Sequence, residues 1–257
     1  MNYKIAYYSD VGIKKDTNQD SCSIKIATTE KGNILFAVVC DGMGGLSKGE
    51  VASGCLIRTF SDWFNNEMPE ILAKPDVLSE IKFRWDRIIK EQNQVIGAYG
   101  RSLNIQLGST VTVMVVLEDG RYIIGHVGDS RAYKITDSTV VILTEDQTVV
   151  ANEVKNGKLT AEAAKTDPRR NVLLQCVGAS RIVEPVFYYG VFAEGECVML
   201  CSDGFRHTVT PQEIFEAFKP SANTDEDVMK NNIIGLIELN KQRGETDNIT
   251  ALLVKGE

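Results

Sequence analysis

Histidine is scarce in this sequence: the chain of 257 residues has only His126 and His207. Zinc sites draw their ligands from several histidines and cysteines, so a histidine-rich zinc centre is excluded. The six cysteines include no Cys-x-x-Cys pair, and several lie in apolar, strand-like runs such as residues 197–201. These spacings favour buried, reduced thiols over disulfides or a zinc site.

Long apolar runs and a surplus of basic residues are also missing. No segment approaches the roughly 20 apolar residues of a membrane span, and the first ten residues contain no apolar core of a signal peptide. Lys and Arg total 28 against 35 Asp and Glu, which gives a formal net charge of -7. We therefore expect a cytoplasmic protein that binds neither nucleic acid nor a membrane.

The chain has no internal repeat, low-complexity tract or linker rich in proline, glycine and serine, which predicts one domain over residues 1–257. Apolar or alternating runs bounded by turn residues predict β-strands along the whole length. The predicted strands lie near residues 3–8, 21–27, 33–40, 109–117, 121–127, 131–136, 139–143, 171–176, 184–191, 196–202 and 248–255.

Helical periodicity predicts two early helices, from about Ser47 to Asn66 and from about Asp76 to Ser102, and a last helix over roughly 224–241. Capping-box patterns mark two helix starts, namely Ser47 with Glu50 and Thr210 with Glu213. Residues 118–121, Glu-Asp-Gly-Arg, predict a hairpin turn between antiparallel strands. Because strict βαβ alternation is absent, the pattern favours a layered α+β fold.

Five aspartates share one context, since each lies at the edge of an apolar strand and beside a turn-forming or small residue. They are Asp20, Asp41, Asp129, Asp203 and Asp247. A single aspartate in such a place is most often a turn residue or helix cap, but five are harder to explain in that way. If the strand ends meet, the carboxylates repel unless a cation compensates, and Mg²⁺ or Mn²⁺ suits such oxygen ligands.

The segment Asp41-Gly42-Met43-Gly44-Gly45 joins a predicted strand to a predicted helix. A phosphate-binding P-loop ends in Gly-Lys-Ser/Thr, and a dinucleotide loop needs Gly-x-Gly-x-x-Gly. The segment satisfies neither pattern. We interpret it as a metal-binding turn, in which the Asp41 carboxylate and the Gly42 carbonyl face the same ion.

Ordered motifs extend this pattern over nearly the whole chain. They are Asn18-Gln19-Asp20-Ser21, residues 39–45, residues 49–53, Gly108-Ser109-Thr110, residues 126–133, residues 143–146, residues 200–204 and Asp247-Asn248-Ile249-Thr250. In this order and spacing the sequence resembles the metal-dependent serine/threonine protein phosphatases of type 2C, in their compact bacterial form.

The resemblance implies a four-layer α-β-β-α sandwich of two mainly antiparallel sheets flanked by helices. It implies hydrolysis of phosphoserine and phosphothreonine on proteins by a hydroxide that bridges two Mn²⁺ or Mg²⁺ ions. The expected partners are phosphorylated proteins, including a serine/threonine kinase, and the expected oligomeric state is a monomer. A segment of about 147–170 corresponds to the family's mobile flap.

The resemblance also implies roles for individual residues. Asp41 bridges the two metals, the Gly42 carbonyl and waters near Asp20 complete one of them, and Asp203 with Asp247 hold the other. Asp129 with Asp203 forms a weaker third site. Gln19 and Asn248 contact the metal ligands and hold them in position without binding the metal.

Three positions depart from the family. Lys15 stands where an arginine commonly grips the phosphate, and lysine lacks the bidentate fork. Met43 and Leu46 stand where relatives have histidines, so no local general acid is evident. His126 could substitute for the missing acid, but a lone histidine inside a strand is more often a hydrogen-bonded core residue. His207, after the Asp203 turn, is expected to be less constrained. Two alternatives therefore stay open: a weakly active pseudophosphatase that binds phosphoproteins, and a phosphatase of small-molecule monoesters.

Overall fold

The computed structural model describes residues 1–44 and 48–257. Within them the strands are β1 Tyr3–Asp10, β2 Asp20–Thr29, β3 Gly32–Gly44, β4 Leu107–Ser109, β5 Val111–Val116, β6 Arg121–Val127, β7 Arg131–Ile135, β8 Val140–Ile142, β9 Val186–Val191, β10 Cys197–Cys201 and β11 Ile249–Gly256. The helices are α1 Gly49–Asn66, α2 Met68–Ile71, α3 Val77–Ser102, α4 Val149–Lys155, α5 Ala161–Thr166, α6 Asp203–Arg206, α7 Pro211–Phe218 and α8 Glu226–Gln242.

The strands form two antiparallel sheets. One has the order β1-β11-β10-β7-β8, and the other has the order β2-β3-β5-β6-β9, with β4 paired to β3. β5 pairs with β6 across the turn at residues 118–121, so the predicted hairpin is confirmed. Consecutive strands thus pair locally, as in an α+β fold.

β3 has apolar side chains on both faces, because both faces are covered. Phe36 and Val38 lie in a cluster with residues of α1 and α3, whereas Leu35, Ala37 and Val39 lie in a cluster with the other sheet. Successive side chains of a strand point to opposite faces. A continuous apolar run therefore becomes a strand buried between a helical layer and a second sheet.

The helices complete the outer layers. Leu56 and Phe60 of α1 and Trp85 of α3 pack on one sheet, while Phe218 of α7 and Ile233 of α8 pack on the other. The predicted four-layer sandwich is therefore confirmed. Among the helices in residues 1–44 and 48–257, none is both long enough and apolar enough to cross a membrane.

Helix α3 and the capping box of α7 agree with the sequence. Asp76 caps α3 by accepting from the Ser79 amide, and Thr210 and Glu213 make the reciprocal capping bonds of α7. The structure begins α1 at Gly49, and Ser47, the predicted capping partner of Glu50, lies outside the described residues, as does Leu46.

The predicted strand at residues 171–176 is wrong. That segment holds only one isolated bridge, from Leu173 to Thr148, and a second follows it from Val177 to Ser109. Val172 and Leu174 are about half exposed, and Leu173 and Leu174 border a cleft, so this apolar run does not pair within a sheet. Residues 147–170 contain α4 and α5, and their movement as a flap stays a prediction.

The six cysteines are free thiols, as the spacings predict. Cys40, Cys197 and Cys201 are fully buried in strands, and burial raises the pKa of the Cys201 thiol to about 12. A buried thiol with so high a pKa is unreactive toward oxidants and metals near neutral pH.

Candidate metal centre

Strand ends from both sheets bring the five predicted aspartates to one end of the sandwich. Asp20 and Asp41 face each other directly across the β2–β3 pair. Asp129 follows β6, Asp203 begins α6 immediately after β10, and Asp247 lies two residues before β11. Asp20, Asp129 and Asp203 are buried, and the other two are partly buried.

The carboxylates of this group repel one another. Loss of hydration, followed by the charges of the four other aspartates, raises the pKa of Asp41 well above its ordinary value. Burial is also the main cause that raises the pKa of Asp20 to about 7 and that of Asp129 to about 7, with the Asp203 charge adding to both. A divalent cation would reverse these shifts, because an opposite charge nearby favours the ionised carboxylate.

Among the five aspartates, two buried carboxylate oxygens have no hydrogen-bond partner within residues 1–44 and 48–257, namely Oδ1 of Asp20 and Oδ1 of Asp203. The second oxygen of Asp20 accepts a 2.7 Å hydrogen bond from Ser202 Oγ, which fixes the side chain. Buried polar atoms normally have hydrogen-bond partners, and a site for an ion is one explanation of an exception. Hard carboxylate oxygen donors fit Mg²⁺ or Mn²⁺.

In the described part of the chain, no three His, Cys, Asp or Glu side chains are arranged so that they could already coordinate one metal ion. Instead, Lys15 Nζ lies 3.0 Å from Asp247 Oδ1, and His207 Nε2 lies 3.3 Å from Asp203 Oδ2. Mg²⁺ retains several waters and needs only one or two carboxylates. Joint binding of one ion by Asp41, Asp203 and Asp247 stays a prediction.

The backbone at Gly42 is packed too closely for any other residue. A Cβ there would lie 2.3 Å from the Gly49 carbonyl oxygen and 2.6 Å from that of Gln19. The Gly42 amide donates to the Gln19 carbonyl at 3.1 Å. With its amide turned to satisfy both neighbours, the Gln19 side chain donates to Gly42 O at 3.3 Å and accepts from Gly49 N at 3.2 Å. Gln19 therefore holds the backbone of this turn, and its support of a bound ion stays a prediction.

Asn248 connects the loop that carries Lys15 to the start of β11. Its Oδ1 accepts from the Gln19 amide at 2.9 Å, and its Nδ2 donates to Val11 O at 2.9 Å and Thr17 O at 3.2 Å. A single amide side chain thus holds both ends of the loop over residues 11–19 beside the carboxylates.

Lys15, in the loop over residues 11–19, faces the aspartates of the proposed metal centre. Burial disfavours the Lys15 ammonium, but the hydrogen bond to Asp247 and the nearby aspartate charges outweigh it and raise the pKa of Lys15. The side chain is 42% exposed, so it can also reach a ligand from solvent. This position is compatible with the predicted role in binding phosphate.

His207 and Glu245 belong to the site in a way that the sequence did not indicate. His207 Nδ1 lies 3.1 Å from Glu245 Oε2, while its Nε2 faces Asp203. Burial disfavours the imidazolium, but the two carboxylates outweigh it and raise the pKa of His207. The interpretation of His207 as less constrained is therefore wrong. The spacing of four residues between Asp203 and His207 on a helical turn is the signal that could have found the pair.

His126 is a core residue, as expected. It is fully buried, with Nδ1 3.0 Å from Thr112 Oγ1 and Nε2 3.1 Å from the Glu145 carbonyl. Burial is the main cause that lowers its pKa to about 4. An imidazole that stays neutral and enclosed cannot replace the missing acid at Met43.

Comparison with known proteins agrees with this geometry. The family model described as protein phosphatase 2C matches residues 13–235. The chain is 30% identical to the serine/threonine phosphatase Stp of Listeria monocytogenes serotype 4b, over 97% of this chain and 94% of that protein. The chain therefore belongs to the protein phosphatase 2C family.

Solved structures extend the likeness to the fold and the metal. The S. agalactiae serine/threonine phosphatase aligns with a TM-score of 0.83 at 30% identity, with all of both chains covered. The catalytic domain of the phosphatase PstP, in complex with two manganese ions, aligns with a TM-score of 0.77 at 27% identity over 98% of this chain and 97% of that chain. Dependence on Mn²⁺ or Mg²⁺ follows for this family.

Proposed function

We propose that this chain removes phosphate from phosphoserine and phosphothreonine residues of proteins, with Mn²⁺ or Mg²⁺ held by the carboxylates at the end of the sandwich. The observation that carries the proposal is the convergence of four aspartates on Asp41, with buried oxygens of Asp20 and Asp203 that have no partner among the described residues. Such a group is costly to bury without a cation.

The residues have separate roles in this proposal. Asp41 and the Gly42 carbonyl would hold one ion, with Asp20 nearby, and Asp41, Asp203 and Asp247 would hold the other. When bound, two divalent ions supply a nucleophilic water at neutral pH and neutralise the phosphoryl oxygens. Glu245 orients His207, and His207 orients the Asp203 carboxylate.

The source of the leaving-group proton is not a side chain at Met43, since a thioether carries no acidic proton. Loss of a general acid costs about 10²–10⁴-fold in rate. The aryloxide of an aryl phosphate can leave without being protonated, so we expect aryl phosphates to be cleaved faster than phosphothreonine peptides. The comparison of the two substrates measures this dependence directly.

Lys15 is the proposed phosphate contact, and Lys15→Ala should raise the KM for a phosphothreonine peptide about tenfold, because one charge-assisted hydrogen bond is lost from a partly exposed position. The matched control is Lys14→Ala, which removes a neighbouring exposed lysine. Steady-state kinetics of phosphate release check the prediction. An equal KM for both variants would contradict the role of Lys15.

An open cleft of about 560 Å³ begins at Met43, one residue from Gly42, and is bordered by residues 171–182. Leu174 and Ile182, both more than half exposed, lie along it beside Arg181. The cleft carries apolar and cationic groups, and Met43 in its lining follows the proposed metal ligand Gly42 directly in the chain. We propose that the polypeptide around the phosphorylated residue of the substrate lies in this cleft.

Ile182→Glu should therefore raise the KM for a phosphothreonine peptide roughly tenfold, since burial of one aliphatic side chain contributes about 1.5–3 kcal/mol. Hydrolysis of para-nitrophenyl phosphate, which does not reach the cleft, should be unchanged. Val191→Glu is the control, because Val191 is comparably exposed and lies at the far end of β9. Equal losses on both substrates would argue against the cleft as a peptide site.

The function itself is tested by hydrolysis of para-nitrophenyl phosphate and of a phosphothreonine peptide, each with Mn²⁺ and with EDTA. We expect turnover of both substrates that stops with EDTA. Turnover of the aryl ester alone would point to the missing general acid or to a small-molecule phosphatase, and binding of phosphoprotein without turnover would favour the pseudophosphatase. Turnover in EDTA would contradict the metal site.

Three further statements remain proposals. A serine/threonine kinase must produce the substrate, and phosphorylated kinase is itself a candidate substrate. A monomer and a cytoplasmic location are the expectations from the sequence, and the free thiols of all six cysteines support a reducing compartment. Light scattering of the purified protein tests whether it is a monomer.

A further inference from the structure

A buried arginine lies where the family resemblance implies a third divalent ion. Arg206, the last residue of α6, donates from Nη2 to the Asp129 carbonyl at 3.0 Å and lies 3.5 Å from Oδ2 of the same aspartate. The same nitrogen is 3.2 Å from Asp146 Oδ2. Only 12% of the arginine side chain is exposed. The guanidinium is thus a charge held inside the site, not a surface group.

The charge of Arg206 is not needed to neutralise Asp146. Arg131 already binds that carboxylate through two hydrogen bonds of 2.7 Å each, from Nε and from Nη2. Such a bidentate pair is the strongest form of the arginine–carboxylate contact. The positive charge of Arg206 is therefore available to compensate Asp129, which has no other cation in contact within the described residues.

The helical turn α6 fixes the arginine in place. Asn240 of α8 donates to the Phe205 carbonyl at 2.8 Å, and the Phe205 ring packs on Phe218 with centroids 6.1 Å apart. At Gly204 a Cβ would lie 2.2 Å from the Asn248 carbonyl oxygen. The backbone of this turn is thus fixed, and it places the Arg206 side chain within reach of Asp129.

We propose that Arg206 is a built-in cation at Asp129 that takes the place of a third divalent ion, so that this protein binds two Mn²⁺ or Mg²⁺ ions and not three. An ion bound to Asp129 Oδ2 would lie about 2.1 Å from that oxygen. The guanidinium nitrogen, 3.5 Å from the same oxygen, would then be beside it. Arginine does not lose its proton in proteins, so the like charges would repel.

This inference rests on the proposed two-ion function, and it differs from the third site at Asp129 and Asp203 that the resemblance implies. The test is the number of Mn²⁺ ions bound per chain, measured by equilibrium dialysis at saturating Mn²⁺ and atomic absorption. We expect two ions for the wild type, two for Arg206→Lys, which keeps the charge, and three for Arg206→Gln, which removes it. The double variant Arg206→Gln/Asp129→Asn should return to two.

The outcomes separate the two proposals. Three ions in the wild type, or two in folded Arg206→Gln, would overturn the role of Arg206 and leave the two-ion function intact. Fewer than two ions in the wild type would overturn the two-ion function and this inference with it. Circular dichroism monitors folding of each variant. Should Arg206→Gln not fold, Asp129→Asn decides, because we expect it to bind two ions like the wild type, and a fall from three to two would contradict the proposal.

Discussion

Asp203→Asn should lower kcat/KM for para-nitrophenyl phosphate and for a phosphothreonine peptide about 10³-fold or more. The carboxylate lies at the start of α6 with Oδ1 buried and unpaired among the described residues, and an amide there loses the negative charge that binds a cation. Metal stabilisation of a phosphoryl transition state contributes several kcal/mol, and a factor of 10³ corresponds to about 4 kcal/mol. Initial rates at saturating Mn²⁺ measure the loss.

The control for this variant is Asp62→Asn, the same chemical change on the exposed face of α1. We expect its activity to equal that of the wild type. In EDTA, Asp203→Asn should unfold at the same temperature as the wild type or higher, since removal of one of several repelling carboxylates does not weaken the metal-free fold. A lower melting temperature together with lost activity would indicate a folding defect, and near-normal activity would contradict the role of Asp203.

Gly42→Ala should lower the free energy of unfolding by about 3 kcal/mol, the upper part of the range for overpacking a closed site. The new methyl group would lie 2.3 Å from the Gly49 carbonyl oxygen and 2.6 Å from the Gln19 carbonyl oxygen. Both oxygens belong to the backbone and cannot rotate away. Because the Gly42 carbonyl must move to relieve this contact, activity should fall together with stability. Urea unfolding and Mn²⁺-dependent turnover measure the two effects.

Gly235→Ala is the matched control, because Gly235 lies on the exposed side of α8 with no atom within 4 Å of an added Cβ. Alanine in place of glycine in a helix interior adds about 0.5–1 kcal/mol of stability. We therefore expect changes of opposite sign at the two glycines. A Gly42→Ala variant as stable and active as the wild type would contradict the tight turn described for residues 41–44.

Local patterns in the sequence predicted most of the fold. Apolar runs between turn residues identify the strands that pair with their neighbours, and the hairpin at residues 118–121 fixes their antiparallel sense. The five aspartates could be proposed as one group because strand ends of a sandwich meet at its edges. The error at residues 171–176 arose because a short apolar run that borders a cleft cannot be told from a strand in the sequence.

The contacts between distant residues could not be read from the sequence. Glu245 meets His207 across 38 positions, and Arg206 meets Asp129 across 77 positions. Each depends on how α6 sits against the sheets, which no local spacing encodes. Lys15 could be placed near the phosphate only through the family resemblance, and its contact with Asp247 follows from the loop that Asn248 holds.

The central claim is that the aspartates at one end of the sandwich bind two divalent ions, and anomalous diffraction from crystals of the wild-type protein grown with Mn²⁺ tests it most directly. We expect two manganese peaks, one beside Asp41 and the Gly42 carbonyl and one among Asp41, Asp203 and Asp247. Absence of both peaks at saturating Mn²⁺, or manganese peaks only at other places on the protein, would contradict the account.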